Sequence, residues 1–509
     1  MRTIARERLF VFGFLLVFFG LNLLFLTRYP LVHSDESWLA GLTRNMMANA
    51  DPGVTETFFD LKPRYPHAVK ILFHLLQMPL ILLFGYSVFS VRLLSLMAGT
   101  AALYLFYRCC RQSAPFPLSL ALAALMAVNP QFLSAAHTAR QEILLVCALL
   151  LLALMLLQSK GDSTGRLAVK LGVVTGLSAG LHPNAFVLAA SCGAALLAVM
   201  LGRKRFRIKP LLAYVGVTGG VALVFVGLSF LFDHQFITHY MRYGDMEFDL
   251  LVPVTDKLGG FTGYLQRLWS GISGTYILPE LRPLLILSAG LTGWGAVRAV
   301  RTGSHAVLVP LGLTAGALAG TVLIGRYNQL SAVLWMLPCL LLAAPLLKGL
   351  KRRRIAVAAA AAALAASCLF SVAPAFSYSY DGYLAQIAAF VAPETKTLAN
   401  LNTGFYFGND SLLDVRNLSY LKENGLTFAE YVESRGIKVI LWSDEMDFIY
   451  AHRPDYNVLY GNPRYVPEAE AFFEERCTLL GTFENDGYAA RLVQEIGKPH
   501  SVKVYRVNP

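Results

Sequence analysis

The sequence predicts a polytopic α-helical membrane protein that carries a small external α/β domain at its C-terminal end. Three observations lead there. Of the 509 residues 56% are hydrophobic and 15% charged, with a mean hydropathy of +0.52, whereas soluble chains carry about 25% charged residues. Apolar runs long enough to cross about 30 Å of hydrocarbon recur between residues 9 and 373. The charge is split along the chain: residues 376–509 hold 12 Lys/Arg against 18 Asp/Glu, which leaves 32 basic and 14 acidic residues before them.

Eleven spans are predicted, at about 9–27, 88–107, 117–133, 141–158, 168–181, 185–201, 211–231, 283–298, 305–324, 329–347 and 355–373. No small-residue cleavage site follows Leu26, so the first run is expected to remain as a span. The fifth is short and glycine-rich, which points to a tilted or broken helix. Basic clusters mark alternate ends. Arg2, Arg6 and Arg8 precede the first span, and Arg108 and Arg111 follow the second. Lys160, Arg166 and Lys170 follow the fourth; Arg203, Lys204, Arg205, Arg207 and Lys209 the sixth; Arg298 and Arg301 the eighth; Lys348, Lys351, Arg352, Arg353 and Arg354 the tenth. With eleven spans all six clusters fall on one face, which the positive-inside rule makes cytoplasmic. The expectation is a multi-pass protein of the cytoplasmic (inner) membrane, with a cytoplasmic N-terminus and an extracytoplasmic C-terminal domain. The basic excess is then a topology signal among membrane lipids, with no nucleic-acid partner implied.

Two units follow, a transmembrane domain over 1–375 and an α/β domain over 376–509. The first has long external loops at about 28–87 and 232–282. In the earlier loop, Ala68 to Phe84 is apolar but interrupted by His74, Gln77 and Pro79, and reads as a helix lying partly in the interface. The later loop is rich in aromatic and acidic residues: Tyr240, Tyr243, Asp245, Glu247 and Asp249. In the C-terminal domain, helices are expected at Tyr383 to Val391, Phe428 to Arg435 and Glu468 to Cys477. Ile437 to Trp442 reads as a buried strand, and Val502 to Val507 alternates like an edge strand.

Seven cysteines form no CxxC pair, and only Cys477 lies in the external domain, so neither a zinc or redox motif nor a disulfide framework is expected. No P-loop, Gly-rich nucleotide fingerprint or Cys/His metal set occurs. That argues against nucleotide-driven chemistry and fits a donor delivered through the membrane.

The chemistry-bearing residues cluster on the external side. Asp35 and Glu36, in His33-Ser34-Asp35-Glu36-Ser37-Trp38, admit two readings. They are a solvated loop with Ser34 or Asp35 capping a short helix, or a general base that takes a proton from an acceptor hydroxyl. His137, Arg140 and Glu142 crowd the short loop after the third span, as a salt bridge and helix cap or as contacts for a sugar and a phosphate. His182, in Leu181-His182-Pro183-Asn184, is a structural turn residue or a site residue. Arg326, with Tyr327 beside it, either snorkels to lipid phosphate or holds the phosphate of a lipid-linked substrate. Arg64 and His67 of the first long loop are further candidates.

This layout resembles the GT-C superfamily of integral-membrane glycosyltransferases, and within it the protein O-mannosyltransferase and aminoarabinose-transferase branch. The resemblance covers about residues 5–350 and rests on the order and common sidedness of short motifs. An Asp-Glu pair opens the first external loop. Lys62-Pro63-Arg64-Tyr65-Pro66, Phe84-Gly85-Tyr86-Ser87 and Val91-Arg92-Leu93 follow in order. The family's Ala-Arg-x-Asp is Ala139-Arg140-Gln141-Glu142 here, and its Arg-Tyr before a Pro-containing span is Arg326-Tyr327, then Pro338. Glu142 replaces the usual Asp, and His182 stands where the family often has Lys.

The resemblance implies a GT-C fold and a polyprenyl-phosphate-linked sugar as donor, passed with inversion to a lipid, glycan or protein acceptor. Asp35 would be the base and Glu36 would position the sugar or acceptor. Arg326, Arg140 and His182 would hold the leaving phosphate. No cofactor is required by that branch, and a weak divalent-cation site between Asp35 and Glu142 stays open. Two other classes remain beside it: a flippase for a lipid-linked sugar, which would place ionisable residues at mid-membrane in repeated halves, and a non-catalytic partner protein.

Overall fold

The structure is a computed structural model and describes residues 2–159, 164–204, 206–248, 252–271, 277–457, 459–492 and 500–509. Lys160, Arg205 and Asp249 lie outside the described residues. Helix α1 (Arg2–Leu24) leads into the first long loop, which holds α2 (Ser34–Asn49) and α3 (Ile71–Phe84). Helices α4 (Val88–Cys110), α5 (Phe116–Ala127), α6 (Pro130–His137), α7 (Glu142–Gln158), α8 (Gly165–Leu177), α9 (Ala185–Gly202) and α10 (Ile208–Phe232) follow. The second long loop folds into α11 (Phe236–Phe248) and α12 (Val254–Ser270). The bundle closes with α13 (Arg282–Thr302), α14 (His305–Ile324), α15 (Val333–Leu341), α16 (Ala343–Leu347) and α17 (Arg353–Val372).

Among the described residues eight helices are long and apolar enough to cross a membrane, or nine with the bent pair α5 and α6 taken as one. Two of the eleven expected spans are shorter: α7 has 17 residues and α8 has 13, before a 3₁₀ turn at Ser178–Gly180. Helix α3, with 14 residues, rises about 21 Å, too little to span the hydrocarbon.

The expected continuous span 117–133 is instead bent by 64° between α5 and α6. The Asn129 side chain accepts from the N–H groups of Gln131 and Phe132 at 3.0 and 3.1 Å, starting a new helix. Pro130 has no N–H to continue the old one. Elsewhere close packing depends on small residues. A Cβ on Gly312 of α14 would sit 2.6 Å from Ala195 Cα of α9, so those two helices meet at backbone distance. The stretch Leu330–Leu347 is wholly buried at the centre of the bundle. The Gly325–Gln329 loop therefore emerges over its core.

The C-terminal domain has one five-stranded sheet, β1 (Thr397–Ala399), β2 (Leu412–Asp414), β3 (Val439–Ser443), β4 (Cys477–Glu484) and β5 (Ser501–Val507), in the order β2-β1-β3-β5-β4. Strand β1 runs parallel to β2 and β3, and β5 antiparallel to β3 and β4. Helices α18 (Tyr380–Ala388), α19 (Phe428–Ser434), α20 (Asp444–His452) and α21 (Val466–Arg476) complete it. Strand β5 is not the expected edge strand. It lies inside the sheet, with Leu441 opposite Val504 on one side and Leu479 opposite Tyr505 on the other. Its alternation reports one buried and one half-solvated face, as Val502 and Val504 are buried and their neighbours are not.

This domain is docked on the first long loop. Asp414 N–H and Asn417 Nδ2 both donate to the Phe58 carbonyl, at 3.0 and 2.8 Å, and the Tyr431 hydroxyl donates to Asp60 at 2.9 Å. Val32, Phe58 and Phe59 share an apolar cluster with Tyr380, Leu412 and Val439. The loop is thus part of the domain's core, although Phe58 and Asn417 are 359 residues apart in sequence.

Candidate functional site

The site begins at the N-terminus of α2. His33, rather than Ser34 or Asp35, caps that helix: its Nδ1 accepts from Asp35 N–H at 3.1 Å, and Glu36 Oε1 accepts from His33 N–H at 3.0 Å. This is a capping box with an imidazole in place of a hydroxyl. Burial lowers His33 to about 3, with Asp35 opposing that, so the ring is neutral and its Nδ1 can accept. The cap turns successive residues apart. Asp35 faces an open space, and Glu36 faces inward.

Glu36 does not contact that space, contrary to the expectation for it. It is fully buried, with Arg92 Nε and Nη2 on its two oxygens at 2.7 Å each and Ala139 N–H on Oε2 at 2.8 Å. Its carboxylate ties α2 to α4 and to the loop between α6 and α7. His137 is also absent from the space. It is fully buried, its Nδ1 donates to the Tyr29 carbonyl at 3.0 Å, and its ring packs on Phe25. The reason is the bend at Asn129, which turns the end of α6 into the bundle.

The other eight sequence candidates line one cavity of about 430 Å³: Asp35, Arg64, His67, Arg140, Glu142, His182, Arg326 and Tyr327. Arg140 is held by two carboxylates. It donates to Asp35, and its Nε and Nη2 reach Glu142 at 3.3 and 3.2 Å. Asp35 and Glu142 therefore share one guanidinium. Among the described residues no three His, Cys, Asp or Glu side chains group as metal ligands.

The deeper wall is cationic. Lys70 lines it beside His182 and Arg326. Lys70 sits at the head of α3 with φ 92°, a left-handed conformation strained for a residue with a Cβ. Among the described residues its ammonium makes no hydrogen bond or ion pair. Burial, then the charges of Arg326 and Arg64, lower it to about 7. Burial, then Arg326 and Lys70, push His182 well below the usual imidazole range. His182 Nδ1 accepts from Asn184 N–H at 3.0 Å, so the neutral ring carries its proton on Nε2. Burial also lowers Arg326, with Tyr240 and Tyr243 opposing it, and a guanidinium remains charged under such a shift.

The outer wall is a stacked set. Trp38 is overlaid by Lys62, Arg64 and Arg416 at 5.3, 5.0 and 4.7 Å from the ring centroid. Its Nε1 donates to Glu56, which also takes Arg64 on both oxygens at 3.0 and 2.9 Å. Burial would raise Glu56, but Arg64 overrides it and holds the carboxyl at about 2. His67 is lowered to about 3 by burial, then by Lys70 and Arg64, and its ring stands edge-on to Tyr240. The Tyr327 hydroxyl is tied to the Lys257 carbonyl and its ring stacks on Tyr264. Arg416 and Tyr456 bring the C-terminal domain into the cavity wall.

Sequence reasoning missed Lys70, Trp38, Glu56, Tyr243 and Arg416 as site residues. For Lys70 a signal existed: a lone lysine opening an apolar helix on the face that the positive-inside bias leaves poor in cations. Arg416 had none, because only the docking of the C-terminal domain brings it near Trp38.

No protein-family model matches the chain, and no curated protein does. Solved structures do. The oligosaccharyltransferase of Archaeoglobus fulgidus, solved with zinc and sulfate, superposes with a TM-score of 0.51 at 16% identity, over 90% of this chain and 71% of that one. ArnT of Cupriavidus metallidurans, solved with undecaprenyl phosphate, gives a TM-score of 0.47 at 15% identity, over 98% of each chain. On the first of these likenesses the chain has the GT-C fold, a multi-pass helical bundle followed by a C-terminal sheet domain.

Proposed function

We propose that this protein is an inverting glycosyltransferase that moves a sugar from a polyprenyl-phosphate donor to a lipid, glycan or protein acceptor at the outer face of the cytoplasmic membrane. One observation carries the reading: a carboxylate, Asp35, shares a cavity with Lys70, a half-buried cation that makes no hydrogen bond or ion pair among the described residues, and with Arg326. Such a pair of poles suits a reaction that removes a proton at one end and releases a phosphate at the other.

Asp35 takes the proton of the acceptor hydroxyl as that oxygen bonds to the anomeric carbon. The bond from that carbon to the phosphate oxygen breaks on the opposite face, and the phosphate leaves with the electron pair. The sugar passes through an oxocarbenium-like state, and its configuration inverts. Lys70 and Arg326 stabilise the charge on the leaving phosphate, and the Nε2–H of His182 donates to it. His182 takes the place where the family often has a lysine, and Lys70 supplies an ammonium beside it. Arg140 fixes the Asp35 carboxylate through its second hold on Glu142. No step in this scheme needs a cofactor, and the shared guanidinium offsets one of the two negative charges of Asp35 and Glu142. The basic clusters support a cytoplasmic N-terminus and an external C-terminal domain.

The test is transfer of label from a mixture of radiolabelled polyprenyl-phosphate sugars into membranes, comparing wild type with Asp35→Asn at matched expression. Transfer by the wild type that is lost in the variant is expected. Equal transfer by both would remove Asp35 from the chemistry, and none by either would overturn the enzyme reading for those donors.

A further inference from the structure

A second cavity of about 210 Å³ lies beside the first. His33 and Gln329 line both and form the wall between them. It lies where the C-terminal domain meets the bundle, with Tyr378, Asp486 and Arg491 from the domain facing Gln131 and Ser134 of α6. Its size is below the roughly 300 Å³ at which pockets for drug-sized ligands begin, so it suits one sugar residue and not an oligosaccharide.

Two polar groups there are unsatisfied. Arg491 is 7% exposed, and its backbone N–H donates to Glu445, but among the described residues its guanidinium makes no hydrogen bond and no ion pair. That group cannot shed its charge in a protein, and an unpaired buried charge is costly. Gln131 is 1% exposed; its Nε2 donates to the carbonyls of Gln329 and Leu330 at 2.9 and 3.2 Å, while its Oε1 accepts from nothing among the described residues. Asp486 adds a carboxylate acceptor, and Tyr378 adds an aromatic ring that a sugar face can cover. One cation, two acceptors and a ring form the complement of a sugar that bears an anionic group among its hydroxyls.

We infer that the second cavity is an acceptor subsite for an acidic saccharide: Arg491 pairs with a carboxylate or phosphate, and Gln131 Oε1 and Asp486 accept from the sugar hydroxyls. Its role as an acceptor subsite rests on the glycosyl-transfer reading above, whereas its affinity for an acidic sugar does not. His33, which lines both cavities, stands two positions before Asp35, which lines the first.

The experiment uses the full chain in lipid nanodiscs without donor. Saturation-transfer NMR reads the binding of glucuronate, glucose 6-phosphate and neutral glucose to the wild type and to Arg491→Ala, Arg491→Lys and Arg326→Ala. Signal from an acidic sugar and not from glucose is expected, and which acidic probe binds tells carboxylate from phosphate. Arg491→Ala should weaken binding at least about tenfold, the effect of losing one charge-assisted pair. Arg491→Lys should keep part of it, and Arg326→Ala should leave it unchanged. Equal binding of glucose, no binding of either acidic probe, or unaltered binding by Arg491→Ala would overturn the inference. Loss in Arg326→Ala alone would do so too, by placing the sugar in the first cavity. If Arg491→Ala does not fold, Gln131→Met and Arg491→Lys decide by the same readout. Binding without any sugar transfer would overturn the enzyme reading and keep the site; transfer without acidic-sugar binding would overturn the site alone.

Discussion

Glu36 and Arg92 are joined by two hydrogen bonds of 2.7 Å where neither side chain is exposed at all. The pair lies behind the face of α2 from which Asp35 lines the cavity, so two adjacent acidic residues face opposite ways. Removing one partner leaves an uncompensated buried charge, so Glu36→Ala is expected to cost about 3–5 kcal/mol of stability. Thermal unfolding in detergent measures this. The double variant Glu36→Leu/Arg92→Met should recover both folding and sugar transfer. A group that touched substrate would leave the double variant folded but inactive.

Arg140 bridges Asp35 and Glu142 with a planar fork, and a lysine cannot straddle two carboxylates in that way. Arg140→Lys keeps the charge and loses the geometry. Its transfer rate is expected to fall roughly a hundredfold, the scale on which a single preorganised electrostatic contact matters. The donor KM should change much less. A variant with wild-type kcat would show that the fork does not set the position of Asp35.

How much of this could be read from the sequence depends on which forces act locally. The spans, the strand at Val439–Ser443 and the helices near Phe428 and Val466 follow from runs of apolar residues, which report burial directly. Eight of the ten candidate site residues share a cavity because short turns between helices leave a charged side chain few places to go. Glu36 was misread because sequence cannot tell which of two adjacent carboxylates a helix turns inward. That is decided by the His33 cap and by Arg92, 56 residues away. His137 was misread because the break at Asn129-Pro130 lies inside an apolar run that looks continuous. Arg416 and Trp38 meet only through docking of the C-terminal domain, a contact between segments more than 350 residues apart that leaves no local pattern.

Tyr327 lines the cavity, yet its hydroxyl is occupied by the Lys257 carbonyl. Tyr327→Phe should therefore change donor KM by less than about threefold and cost about 1 kcal/mol of stability, the net worth of one hydrogen bond. Gly260→Ala should be worse. A Cβ at position 260 would lie 2.9 Å from the Tyr327 ring, so the ring must shift and take the cavity wall with it. Steady-state kinetics of the two variants decide the matter. A larger loss in Tyr327→Phe would mean that the hydroxyl leaves Lys257 to meet the substrate.

Lys70 gives the site a pH dependence of defined sign. Burial, and then Arg326 and Arg64, lower its ammonium from the usual lysine range to about 7. Below that value it is already charged when an anionic donor arrives, and affinity is at its maximum. Above it, binding must first load a proton onto Lys70, so donor affinity falls as pH rises, up to the higher pKa that the bound phosphate imposes. For the protein without donor the sign is opposite. The unfolded chain binds this proton up to about 10.4 and the folded one only to about 7, so this lysine lets stability rise with pH across that window. Lys70→Arg keeps its charge throughout and should flatten both profiles, and Lys70→Met should bind donor weakly at every pH. Donor KM between pH 6 and 9 for the three proteins is the measurement. An unchanged slope in Lys70→Arg would assign the titration to another group.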